Sequence, residues 1–188
     1  MTGQSLWFIS RATGVVTIVL LTFVVCLGVV TAGRRRPHGK SPTIVMGLHR
    51  WLSLGMLVFL ATHIVTAIAD GYVQIGWLAV LVPFASQYQT LLVGLGTLGV
   101  DLLIVVMVTS YLRHRVPERR WRAIHWLSYA MWVVAIVHGF AMGSADQPLL
   151  RLTSLACGVI GGLFASWRII ATHSDRERRT EINAQEWS

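Results

Sequence analysis

Four histidines carry the chemistry that this sequence offers. His49 and His63 stand 14 residues apart, His125 and His138 stand 13 apart, and each pair brackets an apolar stretch. The two stretches repeat one pattern. Trp51-Leu52-Ser53 aligns with Trp126-Leu127-Ser128, Met56 falls on Met131, and His63 and His138 each follow their tryptophan by 12 residues. Only the first histidines are offset, because Arg50 has no counterpart in the second copy. Neutral imidazole is a good axial ligand for haem iron, which the protein tunes through ligand type and burial. Zinc wants four ligands around one point, whereas these four fall at two separated levels. The pattern reads as two bis-histidine sites for iron porphyrin, with all four histidines as metal ligands.

Such sites need helices that hold the rings at matched depth. Of the 188 residues, 54% are hydrophobic and only 13% charged, and the mean hydropathy is +0.61. A soluble domain carries about a quarter charged residues, so this composition points to a bilayer. Runs free of Asp, Glu, Lys and Arg occupy 12–33, 51–69, 71–100, 123–145 and 152–167. A spanning helix needs about 20 apolar residues, and the last run reaches that length with Arg168 snorkelling at its end. The expected fold is an all-α integral membrane bundle of five transmembrane helices over 8–32, 44–69, 90–112, 123–143 and 149–171. One transmembrane domain thus covers 1–171. The polar tail 172–188 reads as a solvated helix end or a disordered segment.

The connections are as informative as the spans. Residues 1–6 read as a short outer terminus, 33–43 as an inner loop with Pro37 and Pro42, and 113–122 as a densely basic inner loop. Segment 71–89 holds the apolar run Gly76 to Phe84, too short to cross, and reads as an interfacial or re-entrant cap. Cys26 and Cys157 lie inside apolar spans without a spacing partner, which argues against a disulfide or a zinc site. The first span is followed, not preceded, by Arg34-Arg35-Arg36, so it reads as a retained helix and not a signal peptide. No glycine-rich phosphate loop or nucleotide fingerprint appears.

The net charge of +8 would suggest nucleic acid in a soluble protein, but its distribution says otherwise. Of 16 Lys and Arg, 14 fall in 34–50, in 113–122 or from 168 onward, leaving only Arg11 and Arg151 elsewhere. Five alternating spans put those three basic segments on one face, and positive charge marks the cytoplasm. The N-terminus is therefore expected outside and the C-terminus inside, in a plasma (inner) membrane. The basic residues orient the chain near anionic lipid and make no nucleic-acid surface.

Depth sets the pairing. Helices 2 and 4 run the same way. His63 lies seven residues before Asp70 and His138 eight before Asp146, while His49 and His125 both adjoin basic inner loops. The pairs are then His63 with His138 outside and His49 with His125 inside. Fourteen residues of helix rise about 21 Å, and at about 100° per residue return to within about 40° of the starting face. Thirteen fall about 140° short. Either helix 4 is locally distorted, or the inner porphyrin is approached from another angle.

Two histidine pairs, spaced 14 on one helix and 13 on a second, co-directional one, resemble the ferric reductase-like transmembrane domain. That family includes NADPH oxidases, metalloreductases and the haem subunit of the periplasmic methionine sulfoxide reductase system. The cytochrome b of quinol–cytochrome c reductases uses 14 on both helices, so the 13 here favours the former. The likeness covers residues 8–171. It implies two haems b held by His49, His63, His125 and His138, passing electrons across the membrane. The chain differs from the oxidases in having five spans instead of six and no flavin and NADPH domain, so any flavin would sit on a partner flavoprotein.

Haem propionates want cationic partners. Arg50, Arg122 and Arg113 are placed for the inner level, and Arg11 and Arg151 for the outer, with Tyr88 and Gln87 as polar alternatives. Arg11 is the strongest of these, because an outer cation serves no topological purpose. Asp101 is costly at mid-membrane and should face the bundle interior, as a structural group, a proton relay or a quinone contact. Met56, Met131 and Trp132 lie between the two levels. The leading expectation is an electron-transfer subunit taking electrons from a cytoplasmic or quinol donor to an extracytoplasmic acceptor. The alternatives are an enzyme oxidising quinol or superoxide, and a metal transporter whose histidines bind its cargo.

Overall fold

The computed structural model describes residues 2–32, 41–70, 73, 75–143 and 147–186, and among them there is no strand. The Arg34–Arg36 cluster, Gly71 and Asp146 lie outside the described residues. Seven helices follow in order: α1 (Thr2–Ala32), α2 (Ser41–Ala69), α3 (Leu78–Leu81), α4 (Thr90–Tyr111), α5 (Glu118–His125), α6 (Leu127–Met142) and α7 (Pro148–Glu186). Five stretches are long and apolar enough to cross a membrane: Ser5–Thr31, Thr43–Ala69, Thr90–Tyr111, Glu118–Met142 and Pro148–Ile170. The chain is a five-span membrane protein.

Helix α1 is the centre of the bundle. It packs along α2 and also against α6 and α7, while α4 packs on α6. Its buried face accordingly carries Ile18, Leu21, Val24, Val25 and Val29. Polar residues on that face are satisfied locally, as a membrane interior demands. Thr17 and Thr22 donate to the carbonyls of Thr13 and Ile18 one turn back, at 2.8 and 2.9 Å. At mid-depth Leu21, Val25, Met56, Leu103, Met131 and Trp132 form one buried cluster. Trp132 Nε1 donates to Thr22 Oγ1 at 3.1 Å, and its ring lies against Gly161 of α7, where any larger residue would collide.

The outer segment after α2 caps α4. Thr97 Oγ1 donates to the carbonyl of Ala79 at 2.5 Å, and the Phe84 ring rests on Gly94, where a Cβ would collide with it. Phe84 adopts φ 65°, a left-handed conformation that costs a bulky residue on the order of 1–3 kcal/mol. Contact with Gly94 offsets that cost.

Three boundaries differ from the sequence reading. Helix α1 starts at Thr2, where a short outer terminus was expected. The last helix continues to Glu186, past its apolar run, so the polar tail takes the helical of the two forms expected for it. The basic stretch expected to be a loop to residue 122 is a 3-10 turn over Arg113–Arg115 followed by α5 from Glu118. Hydropathy does not register α5, because its first turns are charged. Pro117 precedes it, Glu118 complements the positive N-terminal end, and Glu118 pairs with Arg122 at 2.5 Å one turn on.

Candidate functional site

Helices α2, with His49 and His63, and α6, with His138, do not pack closely against each other. A cavity of about 260 Å³ lies between them, walled by α1, α4 and α7 as well. His63 and His138 both line it; it reaches inward to Met56, Leu103 and Met131, and outward to Trp7, Arg11, Asp70 and Tyr88.

One local device holds three of the four imidazoles. Nδ1 of His63 is 2.8 Å from the carbonyl of Ser10. Nδ1 of His49 is 3.0 Å from that of Val24, and Nδ1 of His138 is 2.7 Å from that of Leu92. A carbonyl only accepts, so each Nδ1 carries the proton and each Nε2 keeps its lone pair. Four residues beyond each carbonyl stands a glycine: Gly14, Gly28 and Gly96. A Cβ there would lie 3.0 Å from His63 Nδ1, 3.5 Å from His49 Cε1 and 2.8 Å from His138 Cε1. At Gly14 and Gly96 the missing Cβ clears the helix surface so that the ring can reach the carbonyl behind it, whereas at Gly28 a Cβ would make only ordinary contact.

These seats escaped the sequence reading, although a signal was present. Gly14 and Gly28 are spaced 14 on α1, the same interval as His49 and His63 on the antiparallel α2. One helix offers two seats to the two histidines of its neighbour.

His125 departs from the rule. Its Nδ1 is buried with no hydrogen-bond partner, and its ring stacks on Trp121 with centroids 5.0 Å apart. The helix is interrupted between α5 and α6 at Trp126, where Tyr129 N–H bonds the Trp126 carbonyl three residues back at 3.1 Å. Residues in such a turn advance about 120° instead of about 100°, so three of them recover roughly 60° of the 13-residue deficit of about 140°.

The profile of the family described as ferric reductase like transmembrane component matches residues 13–136. The chain belongs to that family. No curated protein and no solved structure matches it. The family match takes in His49, His63 and His125 and ends two residues before His138. It also covers all three seat glycines.

Within this ferric reductase-like domain the expected cations fare differently. Arg11 lines the outer cavity, with its guanidinium 4.2 Å over the Trp7 ring. Tyr88 lines the same mouth, while Gln87 is exposed. Arg151 is engaged with the Gly143 carbonyl at 2.8 Å. On the basic side Arg50 is exposed, and Arg122 is exposed and paired with Glu118. Arg113 lies 4.3 Å over the Trp121 ring. Asp101 is half-buried and does not line the cavity between the histidines. Among the described residues no three His, Cys, Asp or Glu side chains converge as a metal cluster would require.

Proposed function

We propose that this chain is a b-type cytochrome of the plasma (inner) membrane. It holds one haem between His63 and His138 and a second between His49 and His125, and carries electrons from a cytoplasmic or quinol donor to an extracytoplasmic acceptor. Membership of the ferric reductase-like family supports the coarser part, a transmembrane electron-transfer component. The observation that carries the finer part is the seating of the histidines. Metal-bound histidines characteristically donate their second ring N–H to a backbone carbonyl or carboxylate, which sets the tautomer and makes the ligating nitrogen more basic. Three imidazoles here do so.

Bound haem supplies a one-electron couple whose potential follows ligand, burial and hydrogen bonding. The chain's own residues do the rest. The seats aim the His63 and His138 rings at the space between α2 and α6. The buried Met56, Met131 and Trp132 close the middle of the bundle to water, so that charge crosses there as electrons. At the outer mouth Arg11 and Tyr88 offer a cation and a phenol to haem propionates or to an anionic acceptor. Exposed Arg115, Arg119 and Arg120 on the basic side suit anionic lipid and the acidic surface of a flavoprotein donor.

A visible spectrum of the purified protein, with haem counted per chain by the pyridine haemochrome, tests the reading. We expect a Soret band and two haems. A colourless protein after expression with ample porphyrin supply would overturn it and favour a metal transporter.

A further inference from the structure

Only three side-chain polar atoms among the described residues are buried without a hydrogen-bond partner: Ser110 Oγ, Trp121 Nε1 and His125 Nδ1. All three lie on two helices that pack together, Ser110 on α4 and the other two on α5. Trp121 stacks on His125 within α5, and α5 packs against α4. The register of the helices brings Ser110 to the same level. Gly96 of α4 receives His138; 14 residues further along α4 stands Ser110, and 13 residues back from His138 stands His125. By these intervals Ser110 corresponds in register to the glycines of the other seats. The neighbouring carbonyl is also engaged, since Thr109 Oγ1 bonds Val106 at 3.1 Å as well as Val105 at 2.7 Å.

The chemistry of these atoms defines what is missing. An indole N–H donates and never accepts, so its partner is an acceptor. A serine hydroxyl can donate, and so does Nδ1 of an imidazole that ligates through Nε2. Arg113 adds a cation against the Trp121 ring. Three donors beside a cation match one kind of group, an oxygen bearing lone pairs.

We infer that Ser110, Trp121 and His125 form a binding site for an acceptor oxygen at the inner level. Two sources share that chemistry: the ring carbonyl of a lipid-borne quinone, and a carboxylate of the inner porphyrin. The carboxylate source rests on the cytochrome reading, and so does the donor role of His125 Nδ1; the donors Trp121 Nε1 and Ser110 Oγ stand without it. Access favours the quinone. Among the long helices α4 packs closely only on α6, and Tyr111 (84% exposed) and Trp126 (54% exposed) lie at the surface at this end, so the buried donors sit close beneath the lipid-facing surface.

Trp121→Phe tests the site, because it keeps a ring to stack on His125 and removes only the donor. Ser110→Ala removes a second donor without touching the stack. In detergent-purified full-length protein, haem per chain is counted and a short-chain ubiquinone analogue is titrated calorimetrically. A roughly five- to ten-fold weaker quinone affinity in both variants, the loss of one neutral hydrogen bond, with haem unchanged, identifies the carbonyl. Loss of one haem per chain with quinone affinity unchanged identifies the carboxylate. Wild-type haem content and quinone affinity in both variants would overturn the site, leaving it to hold water only. A colourless wild type would sink the cytochrome reading alone, since the quinone titration still reports on the site.

Discussion

Adding one methyl group at each seat should damage the three histidines to unequal and calculable degrees. In Gly96→Ala the new Cβ falls 2.8 Å from His138 Cε1 and 3.1 Å from Nδ1. Carbon atoms settle at about 3.5–4.0 Å, so the ring must retreat by roughly 0.7–1.2 Å. Its bond to the Leu92 carbonyl is 2.7 Å long, and that retreat stretches it to roughly 3.4–3.9 Å, beyond the range of about 2.7–3.2 Å for an N–H···O bond. Leaving the pair unmade costs about 1–3 kcal/mol, and losing such a partner typically lowers metal affinity about 10–100-fold. Gly14→Ala begins from 3.0 Å and should cost somewhat less. Gly28→Ala begins from 3.5 Å, an ordinary contact, and should leave the His49 site intact. All three substitutions gain the same helix stabilisation of roughly 0.5–1 kcal/mol, which cancels in the comparison. The assay is transfer of haem from each variant to excess apomyoglobin, followed in the Soret band. The expected order of transfer rates is Gly96→Ala, then Gly14→Ala, then Gly28→Ala indistinguishable from wild type. Equal rates for Gly96→Ala and Gly28→Ala would refute the seat.

Replacing His63 or His138 by Leu should remove one haem per chain and leave the other, as counted by the pyridine haemochrome; retention of both would break the outer pairing. Trp132→Phe deletes the bond to buried Thr22 Oγ1 and should cost about 1–3 kcal/mol, read as a lower midpoint of thermal unfolding in detergent. Glu118→Gln separates the exposed pair with Arg122 and should change stability by no more than about 0.5 kcal/mol, with haem content unaltered. Gly94→Val drives a side chain into the Phe84 ring and should loosen the outer cap, seen as faster amide exchange over 77–89 while the four long apolar helices after α1 keep their protection.

The spans were legible almost to the residue. The third was expected at 90–112 and runs Thr90–Tyr111; the second was expected at 44–69 and runs Ser41–Ala69. Hydropathy is a sum over neighbours in the chain, so a window of sequence contains all the information needed. The start of α5 was not legible for the same reason, because a water-exposed helix beginning Glu118-Arg119-Arg120 has no apolar signature. The outer cap was foreseen as apolar and too short to cross, and it forms a short helix on α4. Charge near a membrane face is uninformative about which guanidinium turns inward, and only the packing shows Arg11 lining the cavity while Arg50 and Arg122 stay exposed.

Residue types and intervals were enough to establish a five-span membrane protein with four histidines at two depths, and to suggest its family. Both properties are carried by single helices: apolar length sets the crossing, and rise per residue sets the depth. What holds each ring was a matter for pairs of helices. Ser10 and His63 are 53 residues apart, and Leu92 and His138 are 46 apart; a carbonyl meets an imidazole only when two helix surfaces come into register. The same packing leaves His125 without such a partner and stacks Trp121 on its ring. Helix-to-helix register depends on side-chain shape along the whole contact, which no local interval encodes.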